Sequence, residues 1–417
     1  MNSIRRAITS ILTLVVLFGG SESVAQINDY GRVGSGARAV AMGGAFTAVA
    51  DDATAIMWNP AGLTRLAVPE ASVVMRANTT AFDLSSTEDF LEAYKANSST
   101  NVALNFASLV YPMRLGPISI VTGVAYRTIH DWERELVGER SYADDFGSRL
   151  DITETIKLGG GINAISPSAA IELIRGLSVG ATYNILQGTL TEDYSLTYVA
   201  NFDYGVDDFF STEETTYEGN SLDVGALLRL SDALNIGAKV TLPYERTSTF
   251  TTDQSTQETV STLELPMFMY FGASLRVGSY MSLSFDVAME PWSQSYLLDA
   301  NGDRYTDAFG DDVPYFDHDV TSLHAGMELL LTNTGQNFIL PLRAGVFTKP
   351  QPYSDVNGDQ VTGKGISAGF GMVFPGRFSL DVAGLIDNVD EFSWTEVASR
   401  SEENIRLMAS IIFYLEN

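Results

Sequence analysis

The chain of 417 residues contains no cysteine. That absence excludes disulfides, thiol catalysis and a lipoprotein anchor. Histidine is scarce. His130, His318 and His324 are scattered, and no spacing joins them to a metal-ligand set or to a Ser/His/Asp nucleophile. Basic residues are few: 25 Lys and Arg stand against 52 Asp and Glu, for a formal charge of −27. Such a surface repels phosphates and argues against nucleic acid as a partner. No Lys or Arg occurs between Arg175 and Arg229, while 190–215 carries several acids. Beyond Phe18 there is no apolar run of about 18 residues, so no transmembrane helix is expected.

What is present begins with Arg5 and Arg6, an apolar stretch from Ala7 to Phe18, and Ser23-Val24-Ala25 before Gln26. This order reads as a signal peptide over 1–25, exported by the general route rather than the twin-arginine one. The rest is dominated by a period of two. LSVGATYNI (177–185) sets Leu177, Val179, Ala181, Tyr183 and Ile185 against Ser178, Gly180, Thr182 and Asn184. MSLSFDVAME (281–290) and ISIVTGVAYRTI (118–129) alternate in the same way. Each reads as a strand with one apolar and one polar face. About fourteen such segments begin near residues 71, 102, 118, 149, 176, 216, 234, 258, 280, 318, 337, 362, 377 and 404. Short connections at 113–117, 231–233, 278–280 and 375–377 alternate with long ones at 84–101, 131–148, 190–215, 248–257, 297–317, 349–361 and 388–403. The link 165–176 is of intermediate length.

Within these segments charges such as Arg127, Asp223, Lys239, Asp286, Glu328, Arg343, Asp381 and Arg406 fall on the face opposite the apolar one. A charge facing lipid near mid-bilayer costs about 2–4 kcal/mol, whereas a lumen can solvate or pair it. Alternation alone also fits a soluble sandwich. Strand length, loop asymmetry and the export signal favour the other reading. The expected fold is all-β: an antiparallel transmembrane β-barrel of about fourteen strands over 71–417, closed by a final strand at ENIRLMASIIFYLEN. The long loops would face the outside of a Gram-negative outer membrane.

Residues 26–70 precede the first strand. They are rich in Gly and Ala, with Asp51 or Asp52 placed to cap a short turn that Pro60 ends. The segment is too small to fold alone, so it is expected as a plug in the lumen. ARAVAMGGAFTAVADDATAIMWNPAGL (37–63) resembles the N-terminal signature of FadL-type outer-membrane transporters, which include fatty acid and aromatic-hydrocarbon channels. FASLVYP (106–112) and LPLRAGVF (340–347) also resemble family segments.

The resemblance implies a fourteen-strand barrel with an N-terminal hatch and no enzymatic activity. It implies passive uptake of a hydrophobic ligand such as a long-chain fatty acid, released laterally through the wall. Its hatch motif maps onto Gly43, Gly44, Asn59, Pro60, Ala61 and Gly62, and its wall kink onto Gly123 in the third strand. PorV-type proteins of a protein secretion system resemble the same family, so a secretion partner is the alternative reading. Under the uptake reading the partners are the ligand and outer-membrane lipid, and the chain is a monomer.

Two further patterns bear on cofactors. Gly34-Ser35-Gly36-Ala37-Arg38-Ala39 matches GxGxxA, but no apolar strand precedes it as a dinucleotide site requires. Asp299-Ala-Asn301-Gly-Asp303 and Asp355-Val-Asn357-Gly-Asp359 place oxygens at calcium-like spacing. Neither has the sixth-position Gly or twelfth-position Glu, and Asx-Gly turns explain both. No cofactor is expected.

Overall fold

The computed structural model describes residues 34–415 except 87–93, 96–98, 116–117, 144–148, 202–206, 333–337 and 396–397. The expected signal peptide at 1–25 and the start, 26–33, of the expected hatch lie outside the described residues. In chain order the strands are β1 (Glu70–Ser86), β2 (Tyr94–Lys95), β3 (Ser99–Leu115), β4 (Ile118–Asp131), β5 (Arg134–Ala143), β6 (Arg149–Ile174), β7 (Leu177–Ala200), β8 (Phe209–Arg229), β9 (Leu234–Thr241) and β10 (Tyr244–Thr252). They continue with β11 (Ser255–Leu265), β12 (Phe268–Val277), β13 (Met281–Glu290), β14 (Tyr296–Leu298), β15 (Val320–Thr332), β16 (Ile339–Thr348), β17 (Gly363–Phe374), β18 (Phe378–Thr395) and β19 (Ala398–Tyr414).

These strands form fourteen antiparallel staves in a closed ring, with β19 pairing back onto β1 from Glu70↔Tyr414 to Ser86↔Ala398. Five staves hold two strands each: β2 and β3 pair with β1 in one line, and β4/β5, β9/β10, β11/β12 and β13/β14 each continue one line across a break. Pro243, Pro266 and Pro291 sit at three of the breaks, where a missing N–H ends the ladder. The fourth break is at Trp132-Glu133.

The inward and outward faces decide what the ring is for. Phe271, Phe285, Val346, Ile366, Phe370 and Leu407 point outward and are exposed, while Asp223, Asp286, Glu328, Arg343 and Asp381 point inward and are buried. A soluble sandwich shows the reverse. An apolar outer surface around a closed ring is stable in lipid, where closure leaves no strand edge unpaired.

Two sequence expectations are corrected. The link at 165–176 is strand, and only Arg175-Gly176 turns. Pro167 faces outward and pairs with Val124, while the ladder toward β7 steps from Ile165↔Ile185 to Ser168↔Thr182. A proline is thus tolerated within this sheet. The expected long loops at 131–148, 190–215 and 388–403 are largely strand too. β6 has 26 residues and β7 has 24, against the roughly 10 that cross a bilayer, so the wall extends well past it. Their polar composition hid them, because outside lipid neither face need be apolar.

The ladder also runs through Gly123 without a register shift, pairing it with Val110 and Ser168. The irregularity in that stave falls at Thr128/His130 and at the break after Asp131. Gly123 is small because Ile56 packs on it: an added Cβ would stand 3.2 Å from Ile56 Cδ1 and 2.9 Å from Val110 Cγ2.

Candidate functional site: the N-terminal segment and the inner face

Residues 34–66 fold into helix α1 (Ala37–Ala41), helix α2 (Ala55–Trp58) and a 3-10 helix (Pro60–Arg65). Asp52 Oδ1 accepts from Thr54 N at 2.8 Å and so opens the turn into α2, while Asp51 pairs with Arg38. Burial pushes the Asp52 carboxyl up, with Arg38 opposing it. Trp58 is fully buried, and its indole N–H donates to Ser35 O at 2.8 Å. A Cβ at Gly34 would stand 2.2 Å from that indole, so the GxGxxA run is small because Trp58 lies on it.

Asn59 holds three things together. Its Nδ2 donates to the carbonyls of Thr47 at 2.9 Å and Ala226 at 3.0 Å, and its Oδ1 accepts from Ala61 N at 3.2 Å. One side chain thereby joins two parts of the segment, caps the 3-10 helix and ties it to β8. Pro60 then begins the 3-10 helix, where its missing N–H is no loss. Gly62 is needed by a close approach, since a Cβ there would lie 2.0 Å from Ala50 O. Gly43 and Gly44 have φ of 65° and 78°, which only glycine adopts without strain.

The wall answers with glycines of its own. On eight staves an inward-facing glycine sits where the segment touches the sheet: Gly123, Gly180, Gly225, Gly237, Gly272, Gly326, Gly345 and Gly369. A Cβ at Gly345 would be 2.1 Å from Gly43 N, at Gly326 2.4 Å from Met42 O, and at Gly237 2.3 Å from Thr47 O. At Gly225 it would be 2.1 Å from Asn59 Oδ1, and at Gly180 2.5 Å from the Pro60 carbonyl carbon. Gly180 pairs with Gly225, Gly237 with Gly272 and Gly326 with Gly345 across the ladders, so the belt is nearly continuous. Sequence reasoning missed it. The signal was there as a Gly-Ala or Ala-Gly dipeptide in seven of eight alternating segments, from Gly180-Ala181 to Ala368-Gly369, the segment at 281–290 lacking one.

Charges fasten the segment further. Asp286, on β13, accepts from Phe46 N at 3.0 Å and Thr47 N at 2.8 Å. Arg38 reaches Asp51 at 2.5 Å and Glu328 at 3.1 Å. Glu328 takes Arg343 at 2.6 Å, and Arg343 takes Asp381 at 2.5 Å. This chain runs from the segment across β15, β16 and β18. Burial alone would lower the Arg38 pKa, but Asp51, Glu328 and Asp52 hold it well above the ordinary value.

Toward the long connections the inner face changes character. Trp132, Ile156, Leu158, Ile162, Leu186 and Leu190 form one apolar cluster, with Tyr217 and Tyr244 against it. Leu263, Leu265, Phe268, Tyr270, Trp292 and Phe316 form a second, and Tyr244 touches both. Ring centroids lie 5.0 Å apart for Trp132–Tyr217, 4.8 Å for Phe268–Trp292 and 5.1 Å for Trp292–Phe316. Glu290 accepts from Tyr270 Oη at 2.8 Å and Trp292 Nε1 at 3.1 Å, so these two polar tips are satisfied, while Lys239 Nζ stands 4.3 Å from the Tyr270 ring centroid and Arg246 Cζ 5.4 Å from that of Tyr217. These residues also escaped sequence reasoning. Tyr270 lies on the strand face read as polar, and a single aromatic there carries no label.

Other candidates stay apart. His324 Nδ1 lies 2.7 Å from Gly43 O, His318 contacts Ser354, and His130 stacks on Trp132. Asp299 Oδ1 accepts from Asn301 N and Asp303 N, and Asp355 Oδ1 from Asn357 N and Asp359 N, each at 2.8–2.9 Å. These backbone hydrogen bonds lower both carboxyl pKa values. Each carboxylate closes its own turn, and among the described residues no group of three or more such ligands converges for a metal.

No family model matches the chain, and no curated protein does. Solved structures do. A Pseudomonas aeruginosa FadL homologue aligns with TM-score 0.62 at 11% identity, covering 92% of this chain and 98% of that one. The Pseudomonas putida toluene transporter TodX gives 0.61 at 14%, covering 92% and 99%. The Ralstonia pickettii toluene transporter TbuX gives 0.56 at 15%, covering 91% and 98%. At these identities the likeness speaks for architecture, and it agrees with the fourteen-stave ring: the chain has the fold of the FadL-type outer-membrane transport proteins.

Proposed function

We propose that this protein is an outer-membrane channel for passive uptake of hydrophobic small molecules, with residues 34–66 as its hatch. The observation that carries this reading is the division of the inner face. Two packed apolar and aromatic clusters lie on the long-connection side, and a tightly seated segment lies beyond them. The similar solved structures titled toluene transporters support the same class of ligand. Burying about 200 Å² of an apolar ligand on such a lining would contribute about 5 kcal/mol before ordering costs. The long connections would face outward and collect the ligand. Lateral release, if used, has its wall irregularity at 128–133 rather than at Gly123.

The test is uptake of radiolabelled oleate and toluene by cells with and without the gene. Faster uptake of at least one by the gene-bearing cells is expected. Equal uptake of both sinks the reading.

One observation favours the secretion-partner alternative: Phe309, at the tip of a long connection, is 92% exposed. Deleting 305–313 with uptake intact and surface delivery of other proteins lost would support that role instead.

A further inference from the structure

The segment does not meet the wall in the same way all round. The glycine belt spans eight staves, but β19, β1 and β3 carry full side chains at the corresponding height: Met408, Val74 and Phe106. Their exposures are 2%, 0% and 0%. Val74 stands opposite Phe106 across the β1–β3 ladder, and Met408 pairs with Arg76, the next inward residue along β1.

Polar ground lies on both sides of this apolar layer. Toward the long connections is a cavity of about 50 Å³, bounded by Arg76, Asn105, Trp132, Asn404 and Arg406 among others. Asn105 Oδ1 and Trp132 Nε1 are buried there without a hydrogen-bond partner in the protein. Buried polar atoms of this kind are satisfied by water. Toward the short turns come Ser72 and Ser108, with hydroxyls 2.7 Å apart, and then Glu70, whose Oε2 is likewise buried and unpartnered. Polar groups therefore flank, above and below, an apolar layer in which Val74, Phe106 and Met408 pack with apolar residues of the segment. A hydrophobic constriction between polar compartments blocks ions by dewetting.

We infer that the barrel carries a second, polar path along β19, β1 and β3 for water, small ions and small polar solutes, closed by a septum of Val74, Phe106 and Met408. The path touches the aromatic lining at Trp132, which bounds the cavity, while the rest of that lining is built mainly on β6 to β13. It is the part of the seal where large apolar wall side chains, rather than glycines, meet the segment.

The test is the current carried by KCl through the purified full-length protein in planar lipid bilayers. Heat-modifiable gel mobility serves as the check on folding. Wild type should hold the baseline. Phe106→Ala should pass a steady current at least about tenfold higher. Phe347→Ala, which truncates the same apolar cluster on the far wall, should hold the baseline. If Phe106→Ala fails to fold, Met408→Ala opens the septum from another strand and decides the point. The septum is overturned if the folded variants are as tight as wild type. It is equally overturned if wild type already conducts, or if Phe347→Ala leaks as much. The readout uses no hydrophobe, so its failure leaves the uptake reading standing. Failure of oleate and toluene uptake likewise leaves the septum standing.

Discussion

Two levels of the same inner face are built on opposite principles. At the height of the N-terminal segment the wall removes side chains: Gly180, Gly237, Gly326 and Gly345 let backbone meet backbone, and Arg38, Glu328 and Arg343 lock the contact with charge. Nearer the long connections the wall adds the largest side chains available, Trp132, Tyr244, Phe268 and Trp292. The first level is specific for one occupant, the chain's own segment. The second is an apolar surface of large side chains packed on one another, without a seat cut for one shape. Seating a fixed backbone demands the absence of a Cβ to within tenths of an ångström. Holding a hydrophobe demands only area.

Substitutions in the belt should have the largest effect. Gly345→Ala puts a Cβ 2.1 Å from Gly43 N, and neither backbone can move aside. We expect a loss of about 3 kcal/mol, at the upper end for overpacking, read as a lower urea midpoint in detergent. Gly159→Ala, with nothing within 4 Å, should change the midpoint little. Equal effects at both positions would mean that the belt is not a seat. Glu328→Gln should come next. It leaves Arg38 and Arg343 facing each other across a neutral amide in a buried site, and breaking such a network costs about 3 kcal/mol, partly regained through the remaining hydrogen bonds. Limited proteolysis should then cut within 34–66 in the variant and not in wild type.

At the aromatic level the effect should move from stability to ligand. Tyr244→Ala separates the two clusters at their shared residue. Removing one aromatic face from a ligand site lowers affinity by about tenfold, or about 1.4 kcal/mol. Uptake of toluene at low concentration should fall accordingly, with the barrel still heat-modifiable. Unchanged uptake would remove the lining from the proposed route.

How much of this could be read beforehand follows the same division. The staves were legible because lipid on one side and water on the other enforce a period of two, as at 177–185 and 281–290. The motif at Asn59-Pro60-Ala61 was legible as a motif, but its work was not: Asn59 bonds to Ala226, 167 residues away, and no local pattern encodes that. The extended upper strands of β6 and β7 were read as loops because polarity on both faces looks the same in a loop and in a strand outside the membrane. The aromatic lining was hidden because it is assembled from several strands and breaks that lie far apart in the sequence.

The smallest expected effect separates a seat from a hinge. Gly123 invites reading as the kink in the third stave, yet its ladder is regular and its missing side chain is matched to Ile56. In Gly123→Ala the new Cβ meets two methyl ends, Val110 Cγ2 at 2.9 Å and Ile56 Cδ1 at 3.2 Å, and the Leu109 carbonyl oxygen only at 3.3 Å, so small side-chain shifts relieve most of the crowding. The cost should be about 1 kcal/mol, well below that of Gly345→Ala, whose neighbour is backbone. Uptake should be unchanged, because alanine adopts the extended backbone of a regular strand as readily as glycine does. If Gly123→Ala keeps its urea midpoint but loses uptake, the residue is needed for movement rather than for packing, and the opening belongs at Gly123 after all.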